Sequence, residues 1–452
     1  MSKHSLHNQL KLSISNSQII KMALPIAVSI FIPNINFITN NIFLAGLGEQ
    51  QLAVAGITGV FYLIFAVIGF GLNNGLQALI ARRAGENRID EIGSLFNQGV
   101  RISIVFAIIG IISSYLLAPI VLKHALYNQS NVQMAVQFLY IRIWGLPFLY
   151  IYQMRNALLV GINQSKFLVW GTLAETVVNI VLDYGLIYGH FGLPDMGFNG
   201  AAVSSIISEI TGLVVTFGIM HYKGIAKNLG LFKNMRRHAA NTKLILVQSS
   251  PLILQYAISI ISWEYFYILI EHHGERDLAI SNTMRNIFGL FGCVTWAFAG
   301  TSNAMVSNII GQGLQNRVME LITKIMLLSA GCAFVIFCIL NLFPAYLLQV
   351  YGQGDDFILH AIPVVRIVSV ALLMQSVATV WLNAVVGTGN ARINLFIEIS
   401  AITFYCIYAY VVLEKMQLSI AWGWGSEWLY WITLFVPSFL YLKSGKWKGK
   451  II

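Results

Sequence analysis

The sequence predicts an all-α polytopic membrane protein: twelve transmembrane helices in two six-helix lobes, related by a pseudo-twofold axis along the membrane normal. Three observations predict it. Of 452 residues, 57% are hydrophobic and only 10% are charged, where a soluble chain carries about 25% charged residues. Apolar stretches of about 20 residues, enough to cross a bilayer, recur roughly a dozen times between short polar breaks. The chain also repeats itself at a fixed offset of half its length.

The repeat fixes the architecture. ALPIAVSIFIPNINFITNNIFLAGLGEQQLAV at 23–54 runs against SSPLILQYAISIISWEYFYILIEHHGERDLAI at 249–280. Pro25 meets Pro251, Gly48 meets Gly274, Leu52-Ala53 meets Leu278-Ala279, and Gly85 meets Gly311. GINQSK at 161–166 meets GTGNAR at 387–392, so one offset of 226 holds from the first helix to the fifth. Six helices per half is an even number, which gives both halves the same orientation. Repeats of this kind are typical of secondary transporters, with the substrate cavity between lobes that rock to give alternating access.

The spans fall near 19–46, 52–81, 94–121, 132–161, 167–190, 199–222, 244–271, 278–310, 318–347, 357–386, 393–413 and 418–442. Three parts follow: an N-terminal lobe at 1–222, a cytoplasmic interlobe loop at 223–243 and a C-terminal lobe at 244–452. The loop is basic. It is either a plain linker or an amphipathic segment lying along the inner surface. Residues 1–18 are polar and lack a short apolar core with a cleavage site, so no removable signal peptide is expected.

The net charge of +10 is topological, not a nucleic-acid footprint. Lys and Arg gather at every second break: Lys3, Lys11 and Lys21; Arg82, Arg83 and Arg88; Lys166; Lys223, Lys227, Lys233, Arg236, Arg237 and Lys243; Arg317; Arg392; and Lys443 to Lys450. Alternate breaks hold little beyond Lys123, Arg276 and Lys415. That is the positive-inside pattern for twelve helices with both termini cytoplasmic. The expected location is the plasma membrane, as in a bacterial inner membrane.

Polar residues within the spans carry the functional reading. The first helix holds Pro33, Asn34, Asn36, Asn40 and Asn41; a proline there permits a bend. The helix is either a moving cavity wall or a static kink with amides joining helices. Asn73 and Asn74 in the second span read the same way. Arg142, Arg155 and Arg366, in the fourth and tenth spans, have three readings: attracting anionic substrate, pairing with acids such as Glu398, or snorkelling.

The densest cluster is the fifth and sixth helices. Glu175, Asn179 and Asp183 sit at four-residue steps on one helical face, and Ser205 and Glu209 repeat the spacing on the return helix. Asp183 and Ser205 lie eleven residues either side of Pro194, which places them at similar depth. A carboxylate at the bilayer centre costs about 2.5–3.5 kcal/mol on insertion scales, so such residues are functional candidates by default. The cluster reads as a cation site, against the alternative of a polar network that only fixes packing.

Further on, Glu264 and Arg285 face each other across the seventh–eighth hairpin, read first as a structural ion pair and second as a coupling pair. HHGERD at 272–277 matches the HHxxxD string of some acyl-transferring enzymes, but it falls on a short outer turn and reads as coincidence. Trp422, Trp424, Trp428 and Trp431 read as interfacial anchors. Cys293, Cys332, Cys338 and Cys406 lie in apolar runs without metal-ligand spacing. No Walker A sequence occurs, so ATP is not the expected driver, and no enzymatic activity or resident cofactor is expected.

NIVLDYGLIYG followed by LPDMGFNGAAVSS resembles the fifth-to-sixth helix signature of the MATE (multidrug and toxic compound extrusion) transporters, and the resemblance covers nearly the whole chain. It implies antiport of small organic cations or drugs against Na+ or H+ as coupling ion, by a protein acting as a monomer in the lipid bilayer. In the family the N-terminal lobe binds the ion through an Asp on the first helix, an Asn–Asp pair on the fifth and a Thr on the sixth. The matching positions are Asn40, the pair Asn179 and Asp183, and Ser205. Asn40 removes one negative charge, which Glu175 or Glu209 would restore. Asp183 and Asn179 are the candidate Na+ ligands. Another branch places a Glu on the seventh helix and an Asp on the tenth; those positions hold Ser259 and Gln375, so the N-terminal lobe is expected to couple. Asn34, Asn36, Asn41, Gln255, Ser259, Glu264 and Gln375 are candidate cavity residues. The rival reading is a lipid-linked oligosaccharide flippase of similar lobe architecture.

Overall fold

In the computed structural model, which describes residues 10–450 apart from 127, 234 and 237, the secondary structure is helical throughout. Lys3 and Arg237 lie outside the described residues. The helices are α1 (Asn16–Leu47), α2 (Glu49–Gly85), α3 (Ile89–Ala125), α4 (Gln129–Arg142 and Leu146–Gly161, joined by a 3-10 turn), α5 (Lys166–Tyr188) and α6 (Phe198–Tyr222). The second half supplies α7 (Ala239–Glu271), α8 (Glu275–Gly311), α9 (Val318–Leu342), α10 (Asp355–Gly387), α11 (Ala391–Ala409, continued by a π-helical turn) and α12 (Ser426–Lys443). Among the described residues, ten helical spans are long and apolar enough to cross a membrane. The other two long helices, α8 and α12, are more polar: α8 carries Arg285, Asn303 and Asn308, and α12 is short with Glu427 in its first turn.

The repeat is visible down to single backbone angles. Helices α2 and α8 start at Glu49 and Glu275 and end at Gly85 and Gly311. The turns before them hold Gly48 and Gly274 in left-handed conformations, φ 131° and 112°, a region that suits glycine because it lacks Cβ. Asn163 (φ 60°) after α4 corresponds to Gly389 (φ 87°) after α10. Packing repeats too: α2 lies on α4 and α5 on α6, as α8 lies on α10 and α11 on α12.

Two compact units result. One is Val28–Ser249; the other joins Lys11–Ala27 to the chain from Ser250 onward. The start of α1 therefore belongs to the second unit, where the Leu12 amide donates to Asn308 Oδ1 at 3.1 Å and Gln312 Nε2 donates to the Leu12 carbonyl at 3.0 Å. Leu12, Ile19 and Met22 are buried there.

Within the first unit, α3 shows the apolar stripe of a lipid-facing helix: Ile108, Ile112 and Leu116 are exposed at four-residue spacing. The basic segment after α6 packs Ile225, Leu229 and Leu231 inward and leaves Phe232 exposed. Its short helix Ile225–Leu229 buries Ile225 and Leu229, and a Cβ on Gly93 of α3 would come within 1.8 Å of the Leu229 carbonyl. Asn97 Oδ1 accepts from the Phe232 amide at 2.8 Å, and Gln98 Nε2 donates to the Arg236 carbonyl at 2.7 Å.

In the second unit the ion pair across the α7–α8 hairpin is present, with Arg285 Nη2 3.7 Å from Glu264 Oε1. The HHGERD turn is a structural staple. His272 lies 3.0 Å from Glu414, His273 3.0 Å from the Leu413 carbonyl, and Arg276 pairs with Asp356. The tryptophans divide: Trp422 and Trp428 are exposed, but Trp424 and Trp431 are core residues, not interfacial anchors. Trp424 Nε1 donates to Ser281 Oγ at 3.1 Å and stacks against Phe288. Burial suits Trp424 because its indole N–H finds a partner in the core; Trp431 is buried with its Nε1 unpartnered among the described residues.

Candidate functional site

The site is built by two helices that approach closely. On α6, Gly200, Ser204, Ser208 and Gly212 follow each other at four-residue steps, giving one face of small residues that lets backbones meet. A Cβ on Gly200 would stand 2.6 Å from the Leu186 carbonyl of α5. Helix α5 ends with Gly189 in a left-handed cap (φ 69°), and its Tyr188 hydroxyl donates to the Phe43 carbonyl of α1 at 2.6 Å. That bond fixes α1 alongside α5.

The result is a polar cluster closed from solvent. Asp183, Asn179 and Ser204 are 0%, 1% and 0% exposed. Ser204 Oγ donates to Asp183 Oδ1. With the Asn179 amide turned nitrogen toward the carboxylate, Nδ2 lies 3.0 Å from Asp183 Oδ2 and 2.7 Å from Asn36 Oδ1, and Asn179 Oδ1 accepts from the Ser205 amide at 3.3 Å. The cluster so assembled is one carboxylate, two amides and one hydroxyl, from α1, α5 and α6.

Four candidate residues sit elsewhere than expected. The hydroxyl at Asp183 is Ser204, not Ser205, whose own Oγ donates to the Ala201 carbonyl at 2.8 Å. The α1 amide meeting Asn179 is Asn36, one turn before Asn40; Asn40 Oδ1 is buried without a hydrogen-bond partner. Asn34 donates to the Ile30 carbonyl along its own helix at 3.0 Å. Glu209 does not supply charge to Asp183. It holds Arg142 at 2.5 Å, with the guanidinium 4.2 Å over the Tyr62 ring. The 3-10 break in α4 makes room for this pair, since a Cβ on Gly145 would come within 2.8 Å of Glu209 Oε2.

Glu175 stands beside Gly212, with Oε2 buried and unpartnered by hydrogen bonds. Arg155 is buried and donates to Thr216 Oγ1 at 2.6 Å and to Asn156 at 2.7 Å, over the Tyr152 ring. Arg142 and Arg155 are thus turned inward, while Arg366 is exposed. In the second unit Gln255 and Ser259 both donate to Glu398, and Gln375 is buried with Oε1 unpartnered. Among the described residues no three His, Cys, Asp or Glu side chains gather as a metal site.

Sequence reasoning missed Ser204, the pairing of Arg142 with Glu209, and the partners of Glu398, which are Gln255, Ser259 and Tyr430 and not an arginine. The signal for Ser204 was present: the Gly200–Ser204–Ser208–Gly212 stripe marks the face that meets α5. The Arg142–Glu209 pair and the partners of Glu398 have no such signal, because the paired residues are 32 to 143 positions apart. Chemically, a buried carboxylate held only by the uncharged Ser204 hydroxyl and Asn179 amide nitrogen, with Asn36 Oδ1 one contact away, suits a small monovalent cation.

A family model, MatE, matches residues 25–185 and 251–411, two segments at the same offset as the repeat. The chain is 23% identical over 383 residues to a probable multidrug resistance protein NorM of Rhizobium meliloti (strain 1021), covering 82% of each. It is 22% identical over 443 residues to a protein of the same description from Thermotoga maritima, covering 96% of this chain and 94% of that one. In fold it is similar to a solved MOP superfamily transporter from Pyrococcus furiosus, TM-score 0.88, 16% identity and 97% of each chain. With both halves matched in register and the helical architecture shared end to end, the chain belongs to the MATE family: it is a multi-pass membrane transporter and not an enzyme.

Proposed function

We propose that this protein is a secondary active antiporter that exports small organic cations or drugs in exchange for Na+ or H+, with the exchange ion loaded at Asp183. The observation that carries the reading is the fully buried Asp183 carboxylate, bonded to Ser204 and facing Asn179, with no positive side chain among the described residues at hydrogen-bonding distance. An isolated buried carboxylate is unfavourable by several kcal/mol; a bound cation removes that cost and changes the local packing of α1 through Asn36. Such a change, differing between the loaded and empty states, is what lets ion binding drive release of a second ligand. The names of the NorM relatives support drugs as cargo, and their bacterial sources support an inner-membrane location. The inward engagement of Arg142 and Arg155 leaves neither free for a pyrophosphate, which disfavours the flippase reading.

The test is uptake of a fluorescent organic cation into proteoliposomes under an imposed sodium gradient or an imposed pH gradient. The wild type should be driven by one of them and Asp183→Asn by neither, with insertion intact. Equal drive in the variant would remove Asp183 from the mechanism. No drive in the wild type under either gradient would remove the antiport reading itself.

A further inference from the structure

We infer a second binding site for a small monovalent cation, a proton or Na+, in the second unit at Glu398. The repeat does not create it: the position matching Asp183 is Ala409, and the position matching Glu398 is Thr172. The second unit instead builds an acid site of its own from α7, α11 and α12. Glu398 is 2% exposed. Its Oε1 accepts from Ser259 Oγ at 2.8 Å and from the Tyr430 hydroxyl, and its Oε2 accepts from Gln255 Nε2 at 3.2 Å. All three donors are uncharged, so the carboxylate is held without a compensating cation.

Two further facts point to a ligand. Asn394, one turn before Glu398 and 1% exposed, donates its amide nitrogen to Gln255 Oε1, yet its Oδ1 has no partner. An orphaned buried oxygen one helical turn from a buried carboxylate, with Gln255 bonded to both side chains, offers the oxygen ligands that a cation takes. A glutamine here would accept from Ser259 and Tyr430 through its one oxygen but would set its amide nitrogen against Gln255 Nε2, so the donors are matched to a carboxylate with acceptors on both oxygens. Gln255 and Ser259 are only half-buried, which leaves a route to the site along α7. The acid gives the cluster two charge states, and Ser259 and Gln255 on α7 are the groups that register which one is present.

The experiment counts cations bound by purified protein in detergent. It uses equilibrium binding of radioactive sodium together with proton uptake followed by a pH electrode. The variants are Asp183→Asn, Glu398→Gln and the double variant, each checked for an unchanged thermal unfolding midpoint. Glu398→Gln should remove one site, about half of the wild-type stoichiometry, and Glu398→Asp should restore it. Asp183→Asn should remove the other, and the double variant should bind none. Sodium counts and proton counts separate the two ions. Unchanged stoichiometry in folded Glu398→Gln would overturn the second site whatever Asp183 does. Loss of all binding in Asp183→Asn alone would also overturn it while leaving the first site standing. Retention of full binding in Asp183→Asn with loss in Glu398→Gln would uphold the second site and refute the first.

Discussion

Ser204 and Ser205 differ by one position and about 100° of helix rotation, and that rotation decides which hydroxyl serves Asp183. Removing the Ser204 bond forfeits a hydrogen bond to a charged group, worth about 1.5–3 kcal/mol. Ser204→Ala should therefore slow ion-driven uptake by about tenfold or more, while Ser205→Ala, which loses only a bond along its own helix, should stay within about twofold. Initial rates in proteoliposomes decide between them. The buried pair Arg142–Glu209 gives a stability prediction. Arg142→Met strands Glu209 and should destabilise the protein by about 3–5 kcal/mol, whereas Arg142→Met with Glu209→Leu should recover most of the loss. Thermal unfolding in detergent measures both; equal midpoints for the single and double variants would contradict the pairing.

At the scale of elements, the α5–α6 hairpin is tight because α6 presents small residues to α5. Gly200→Ala would place a methyl group 2.6 Å from the Leu186 carbonyl, and backbone is a neighbour that does not yield cheaply. The substitution should cost about 1–3 kcal/mol and loosen the Ser204–Asp183 contact one turn on. Gly218→Ala in the same helix meets nothing within 4 Å and should lie within about 0.5 kcal/mol of wild type. The unfolding midpoints of the two variants test the packing argument, and similar losses would refute it. The loop after α6 makes the same point in reverse. Its basic, amphipathic sequence suits a membrane surface, yet Asn97 and Gln98 of α3 capture its backbone, and Ile225, Leu229 and Leu231 turn inward while Phe232 stays exposed.

For the whole molecule, α1 is the unusual element: its first turns are rooted in the second unit and its remainder carries Asn36 in the first. The root is held by Asn308 and Gln312 gripping Leu12. Asn308→Ala should raise hydrogen exchange at the Leu12 amide by about tenfold, one hydrogen bond of roughly 1–1.5 kcal/mol, while exchange in α5 is unchanged. Exchange mass spectrometry reads this directly, and unchanged protection at Leu12 would show that the root is held by burial alone.

Composition, the charge alternation and the single offset of 226 together determined that this chain is a membrane protein of twelve helices in two like halves. Those are one-dimensional properties, read by water and lipid along the chain, and the helix ends followed them to within about five residues. The exception is α12, which starts at Ser426 where the expected span began at 418, a separate short helix, Ile420–Trp424, filling the gap. The acid pattern Glu175–Asn179–Asp183 was also legible, because four-residue spacing places residues on one face of a helix. What only the tertiary structure decided is which faces meet. The rotation of α6 chose Ser204, the lie of α1 brought Asn36 to Asn179, and the break in α4 gave Glu209 to Arg142. Folding around α7, α11 and α12 gathered three uncharged donors on Glu398. Helical phase and interhelix register are set by packing against partners distant in sequence, and a periodicity within one helix carries no information about them.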